Sequence, residues 1–488
     1  MRRRHLALLL TLAATGCASP YQPPAPPPAT PAPPPAKAAS PAPRLPVRPP
    51  TASGDMVFDT WAAEFYPRAL AAGISPAVLD REFAGLTPDP RVEALDSRQP
   101  EFSKPVGTYI QAVVTPGRAA IGERKMAQAP ELDFIALSYG VPKEILMGIW
   151  AMESGYGRIQ GDFDVIRSMA TLAAQGRRRA FAEHELIAAL KIIQSGEWPR
   201  SQLYGSWAGA MGQTQLIPSS FLSTAVDGDF DGKRDIWNSP DDALASAANL
   251  LAKGGWQAGQ SWAREVIVPA DFDWSLSEGP KLTPLEWAKM GVVRADGLPW
   301  NDTDANLPAQ LAAPAGAEGP AFLLFPNHFV IRKYNNSLAY ALAVGLLADR
   351  FSGMGPLVKP WPVETPLSIA DRLTAQRALN ALGYDVGQPD GIVGTKTRAG
   401  LRAWQKSQGL TADGYLSMAM VQRLAAQAEP MPGGAPAAAP AQTDPAPPAQ
   451  AAPQPPSTNE VPLASGPNQV TTASRTATTP QTTASAKP

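Results

Sequence analysis

Proline is distributed so unevenly in this chain that it marks out which parts can fold before anything else is read. The 488 residues include 54 prolines, and residues 20–50 are almost unbroken Pro/Ala text. Proline fixes φ and has no N–H to donate, so such a run can neither continue a helix nor sit inside a sheet. It favours an extended tether, with a reach on the order of 100 Å if fully drawn out. Residues 428–488 return to Pro, Ala, Thr, Gln and Ser with few large apolar side chains. They cannot bury enough surface to offset the entropy of ordering, so a disordered tail is expected. The folded text lies between, in two blocks at 55–360 and 367–427.

Ahead of the tether (18–54), residues 1–17 read MRRRHLALLLTLAATGC. A short basic start, an apolar core too short to span a bilayer and small residues before a cleavage point make this a signal peptide. Cys17 is the only cysteine, which excludes an intrachain disulfide and a cysteine zinc cluster. Ala14-Thr15-Gly16-Cys17 resembles a bacterial lipobox, in which the cysteine is acylated, and Ser19, not Asp, following it resembles the pattern for outer-membrane delivery. The expectation is a periplasmic protein held to a membrane through Cys17; the plainer alternative is a secretion signal with an incidental cysteine. The formal net charge is −1, and no basic run beyond the N-terminal start could track phosphates, so nucleic acid is not an expected partner.

The first block holds most of the tryptophans and many amphipathic helical stretches, such as 242–251 and 337–351, with few alternating strands. Residues 319–332 read as one hairpin or extended segment. After a Pro-containing connection at 356–366, turn signals at Asp390-Gly391 and Asp413-Gly414 are each followed by helical text. Leu379, Leu382, Leu401 and Trp404 offer a core for three short helices. The fold class is mainly α.

GIWAMESGYG, residues 148–157, raises the chemical question. Ile145, Leu146, Ile149 and Trp150 recur at helical spacing after Pro142, Gly155 can end the helix, and Glu153 falls on the same face as the four apolar residues. Desolvation disfavours its charged form, and the negative end of the helix acts in the same direction. A carboxylic acid kept protonated near neutral pH is what glycoside cleavage needs. The other reading makes Glu153 a buried ion-pair partner of Arg158 or Arg167.

Further on, YGSWAGAMGQTQLIPSSF (204–221) combines small residues, which allow close approach, with Ser206, Gln213, Thr214 and Gln215, neutral groups that suit sugar hydroxyls and acetamides. Together with MESGYGR (152–158), ATLA (170–173), DGDFDGKRDIW (227–237) and RKYNNSLAYALAVG (332–345), this resembles the membrane-bound lytic murein transglycosylase B family. That lysozyme-like group cuts peptidoglycan glycan strands. The resemblance implies that Glu153 is the single catalytic acid/base and that no cofactor is needed for catalysis. It further implies that Ser206 and Gln215 orient the acid and bind substrate, that Tyr334 and Tyr340 line the cleft, and that Arg177 and Arg178 contact peptide or saccharide. Core packing for the tyrosines and a solvated face for the arginines are the alternatives.

DGDFDGKRD places carboxylates at Asp227, Asp229 and Asp231, Gly232 in sixth place and Asp235 in ninth, the spacing of an EF-hand calcium loop to that point. The twelfth position is Asn238, so the last carboxylate would come later, from Asp242 or Asp241, as in family members with a longer loop. A structural calcium is the expectation; an Asp/Gly-rich turn without metal is the alternative. Residues 379–424 resemble a small helical peptidoglycan-binding domain through LGYD, DGIVG, T-x-x-A-x-x-x-W-Q and GLTADG.

The expected reaction is cleavage of the β-1,4 bond between N-acetylmuramic acid and N-acetylglucosamine without water, leaving a 1,6-anhydro end. A hydrolytic lysozyme would need a second carboxylate, for which Asp162 and Asp164 are nearest in sequence. A non-catalytic wall-binding lipoprotein is the rival from another class.

Overall fold

A computed structural model describes residues 52–97 and 104–428. The signal segment, Cys17, nearly all of the tether and the tail lie outside the described residues. Three helices, Met56–Ala71, Pro76–Phe83 and Pro90–Ser97, open the described chain. Phe58, Trp61, Phe65 and Phe83 form an aromatic row along the first two, with the Trp61 and Phe65 rings stacked at 5.2 Å. This row packs on the helices Val165–Gln175 and Arg179–Gln194, and the same core takes in Trp207, Phe221 and Trp237.

A second core surrounds the helix Lys143–Ser154, against which lies the helix Leu338–Phe351. Their approach is close: a Cβ on Gly148 would stand 2.7 Å from the carbonyl oxygen of Val344, so no larger residue fits the crossing. Tyr334 packs against both cores, which puts the end of the helix Pro326–Tyr334 at their junction.

Among the described residues, five strands form an antiparallel sheet in the order Lys281–Leu282, Ala309–Ala312, Ala321–Leu324, Ala263–Ile267, Val293–Arg294. The sequence does not announce it. The strands are short, and Ala321–Leu324 is buried on both faces, so no alternation of apolar and polar residues appears. The stretch 319–332 is therefore a central strand followed by a helix that Pro326 starts, not a hairpin.

Ile369–Ala381, Thr395–Ser407 and Met418–Ala428 make the terminal three-helix module around Leu379, Leu401, Trp404 and Leu424. Its two halves are built alike. Buried Gln376 accepts from the N–H groups of Asp390 and Gly391 and donates to the Asp390 carboxylate. Buried Gln405 accepts from Gly414 N–H and donates to Asp413.

The second half is also the half that docks. Asp413 Oδ2 accepts from Ala317 N–H at 2.9 Å, Arg398 pairs with Glu278 at 2.7 Å, and the Tyr415 hydroxyl donates to Glu364. The connection is not a free linker. Glu265 accepts from the N–H groups of Val358 and Lys359, and buried Trp361 joins the second core against Phe322 and Gly107. The boundary read at residue 360 thus falls one residue short of a core side chain.

Candidate active site

The Lys143–Ser154 helix is buried almost all round, through Ile145, Leu146, Met147, Gly148, Ile149, Trp150 and Ala151. Pro142 stands just outside it, and Gly155, left-handed at φ 58°, ends it. Glu153 is partly buried near this end. Burial pushes its carboxyl up to about 7, against the opposing pull of a hydrogen bond from Tyr340. That bond, from the Tyr340 hydroxyl to Glu153 Oε1, measures 2.5 Å. Neither Arg158 nor Arg167 pairs with Glu153: Arg167 is spent on Thr87, Pro88 and Asp89. The ion-pair alternative has no partner among the described residues.

Tyr340 is wholly buried one turn before Val344 on the same face of its helix, so the close crossing at Gly148 carries its hydroxyl to the acid. Burial and the Glu153 charge raise the pKa values of both Tyr340 and Tyr334 well above the usual range, and Tyr334 donates to the carbonyl of Thr214. A third tyrosine belongs to the group. Tyr109, on the helix Val106–Val113, is raised first by burial and then by Glu153. Nothing in VGTYIQAV distinguishes it from an ordinary amphipathic helix; only the fold brings it to the acid.

The 204–221 segment holds the acid helix from below. Ser154 donates to the Gln213 carbonyl at 2.5 Å and accepts from Gly157 N–H, while Trp150 Nε1 donates to Gln213 Oε1 at 3.1 Å. Gln213 and Thr214 are buried and committed to protein, to the carbonyls of Trp237 and Ala243, so they shape the floor and are not free for sugar. Ser206 accepts from Ala210 N–H at 3.0 Å. Gln215 donates to the carbonyls of Gln160 and Gly212. Gln215 and Tyr156 hold left-handed backbone, φ 50° and 66°, at a cost of about 1 kcal/mol each.

Arg177 and Arg178 are not brought to Glu153. Both hold Asp96, at 2.6 and 3.5 Å, and Arg178 also lies over the Trp207 ring. Asp164 caps the helix Val165–Gln175 and pairs with Arg200; Asp162 is exposed and pairs with Arg91. These two aspartates line an open depression of about 610 Å³ with Arg200 and Tyr204, apart from Glu153. Neither is among the groups that act on the acid.

In the acidic loop, carboxylate oxygens of Asp227, Asp229 and Asp242 lie within 4.8 Å of one another. Asp242 is fully buried and accepts from the N–H groups of Gly228, Asp229 and Asp235. Burial raises its pKa, and the Asp229 charge adds to the rise. Oxygen donors drawn together in this way fit a hard cation. Asp231 is not in the group; its carboxylate accepts from Lys233 N–H at 2.9 Å.

A mainly helical fold that holds one carboxylic acid, with a pKa near 7, between two cores and under a tyrosine hydroxyl is a lysozyme-like, glycan-cleaving architecture. The chain belongs to the transglycosylase SLT domain family, which matches residues 57–349, and a peptidoglycan binding domain matches residues 368–424. It is 49% identical to SltB3 from Pseudomonas aeruginosa, solved in complex with NAG-anhNAM-pentapeptide, with a TM-score of 0.72 over 76% of this chain and 100% of that one. Membrane-bound lytic murein transglycosylase B of Escherichia coli is 34% identical over 215 residues; the match spans 43% of this chain and 57% of that relative's length. Slt35 of Escherichia coli, solved in complex with calcium, is 25% identical with a TM-score of 0.52 over 61% of this chain and 93% of that one.

Proposed function

We propose that this chain is a lytic murein transglycosylase that cleaves the β-1,4 bond between N-acetylmuramic acid and N-acetylglucosamine and leaves a 1,6-anhydro end. The observation that carries the reading is Glu153: a carboxyl near pKa 7 whose hydrogen-bond partner is Tyr340, with no second carboxylate acting on it. Tyr340 donates to Oε1, so Oε2 carries the acidic proton. Glu153 gives that proton to the leaving oxygen as the bond breaks. Its carboxylate then takes the proton of the C6 hydroxyl on the same muramoyl residue, whose oxygen closes on C1. One carboxylate suffices because the nucleophile is already tethered to the reacting centre.

Mass spectrometry of digested sacculi tests this. The expected ends are lighter by one water than the reducing ends that hydrolysis leaves. Reducing muramic acid as the main product would assign the chain to the hydrolytic lysozymes, and no cleavage at all would make it a wall-binding protein.

The site of action is the periplasm, with the chain held to the outer membrane through an acylated Cys17. The N-terminal text and the membrane-bound character in the name of the Escherichia coli relative support this. No helix among the described residues is long and apolar enough to cross a membrane. Cys17→Ala should move the protein from the membrane to the soluble fraction; equal partitioning of the two forms would count against acylation. Asp227, Asp229 and Asp242 hold a structural calcium, a reading supported by their convergence and by the calcium complex of Slt35.

A further inference from the structure

Arg118 is a cation placed where local electrostatics do not ask for one. It lies in the first turn of the helix Pro116–Ala127, whose N-terminus already carries partial positive charge, and Thr115 caps that turn by accepting from Arg118 N–H. Its guanidinium has five N–H donors. The partner they find is the thioether of Met152, 3.6 Å from a terminal nitrogen, and no carboxylate among the described residues pairs with it. Arg91, Arg167, Arg200 and Arg234, in contrast, each reach an aspartate or glutamate. Glu123, further along the same helix, acts on Tyr156 and forms no ion pair with Arg118. A partly buried guanidinium without a counter-ion carries a desolvation cost that a bound anion would relieve.

The position is specific. Met152 precedes the acid in the chain, and the Arg118 carbonyl accepts from the Tyr156 hydroxyl at 2.7 Å, which locks the helix start to the turn that ends the acid helix. Tyr109 feels the charges of both Glu153 and Arg118. Exposed Arg158, just past the end of the acid helix, adds a second like charge against Arg118. A guanidinium that reaches only a thioether beside the acid, with a second arginine charge acting on it and no carboxylate among the described residues paired with it, makes a seat for an anion.

The glycan backbone of peptidoglycan carries hydroxyls and acetamides. Its carboxylates belong to the stem peptide on the muramoyl residue. We infer that Arg118, with Arg158 on its outer side, binds a stem-peptide carboxylate next to the bond that Glu153 cleaves, and so makes the enzyme prefer peptide-bearing strands. This rests on the transglycosylase reading above and names a recognition element for it.

Three substrates test it with the full chain: glycan strands with stem peptides, the same strands stripped of peptide by an amidase with the lactyl carboxylate that this exposes capped as an amide, and strands whose peptide carboxylates have been converted to amides. Wild type should favour the first by about tenfold or more in kcat/KM, the scale of one charge-assisted contact. Arg118→Gln should remove most of that ratio, chiefly through KM, and Arg118→Lys should restore part of it. An unchanged ratio in Arg118→Gln, whatever its absolute activity, would overturn the inference. A second measurement needs no variant: a disaccharide peptide with free carboxylates should inhibit wild type about tenfold more tightly than its amidated form, and equal inhibition would also overturn it. Wild type that cleaves none of the three strands would sink the enzymatic reading and this inference with it. Wild type that cleaves all three equally would sink only the role given to Arg118.

Discussion

The hydroxyl of Tyr340 stands 2.5 Å from Oε1 of Glu153, delivered by a helix that crosses the acid helix where Gly148 leaves no room for a side chain. The bond fixes which carboxyl oxygen is free to give a proton. It also holds the pKa below where burial alone would set it.

Replacing the acid separates chemistry from stability. Burial raises the Glu153 pKa from 4.5 to about 7, so between those values the folded chain keeps a proton that the unfolded chain has released. Stability falls as pH rises through that window, by on the order of 2–3 kcal/mol once the carboxyl is ionised. Glu153→Gln should therefore lose activity by at least about a hundredfold yet unfold at higher denaturant than wild type near pH 8, with the two converging near pH 4. A variant less stable than wild type at alkaline pH would mean that the carboxylate is held by a favourable partner.

Tyr340→Phe removes the one interaction that lowers the Glu153 pKa. The acid must be protonated to act, so activity is lost as pH rises through its pKa. In the variant that alkaline limb should move to higher pH while the maximal rate falls, because Oε1 loses its partner. A kcat/KM profile against pH reads both effects; a limb that does not move would belong to another group.

Added calcium should raise the melting temperature of wild type, by the equivalent of about 2.7 kcal/mol at a hundred times its dissociation constant. Asp227→Asn should abolish the increment. Asp231→Asn should retain it, since that carboxylate lies outside the converging group. Loss of the increment in both would return the site to the simple EF-hand spacing, and no increment in wild type would leave a plain turn.

Where the chain is cut should matter within a dozen residues. A form ending at residue 366 keeps Trp361 in its seat against Gly107 and Phe322 and should cleave soluble glycan while binding sacculi less well. A form ending at residue 355 loses that ring, and Trp361→Ala in the full chain should cost about 3 kcal/mol. Thermal melts of the three forms distinguish a structural clamp from a passive linker.

Much of this is legible in the sequence, for physical reasons that differ by element. Helices such as Pro240–Lys253 and Leu338–Phe351 show their apolar spacing and their Ser239 and Ser337 caps. The sheet hides because its strands are only two to five residues long and the central one is buried on both faces, so no period shows. Glu153 is visible as a charge at the end of an apolar helix, and Tyr340 through a motif. Tyr109 comes within reach of the acid, and Arg118 comes to Met152 beside it, only because distant segments fold together, and no local pattern records that. The difference between Asp231 and Asp242 is of the same kind: spacing picks the exposed turn residue, whereas burial and three backbone donors pick the distant one.

The paired construction of the terminal module gives it two like faces. Gln376 and Gln405 each organise an Asp-Gly loop, so the module carries the same loop twice. In place, Asp413 is committed to Ala317, and only the Asp390 loop, with Ile392 exposed beside it, still faces outward. Attached to this enzyme the module keeps one of its two loops turned outward, and docking takes up the other.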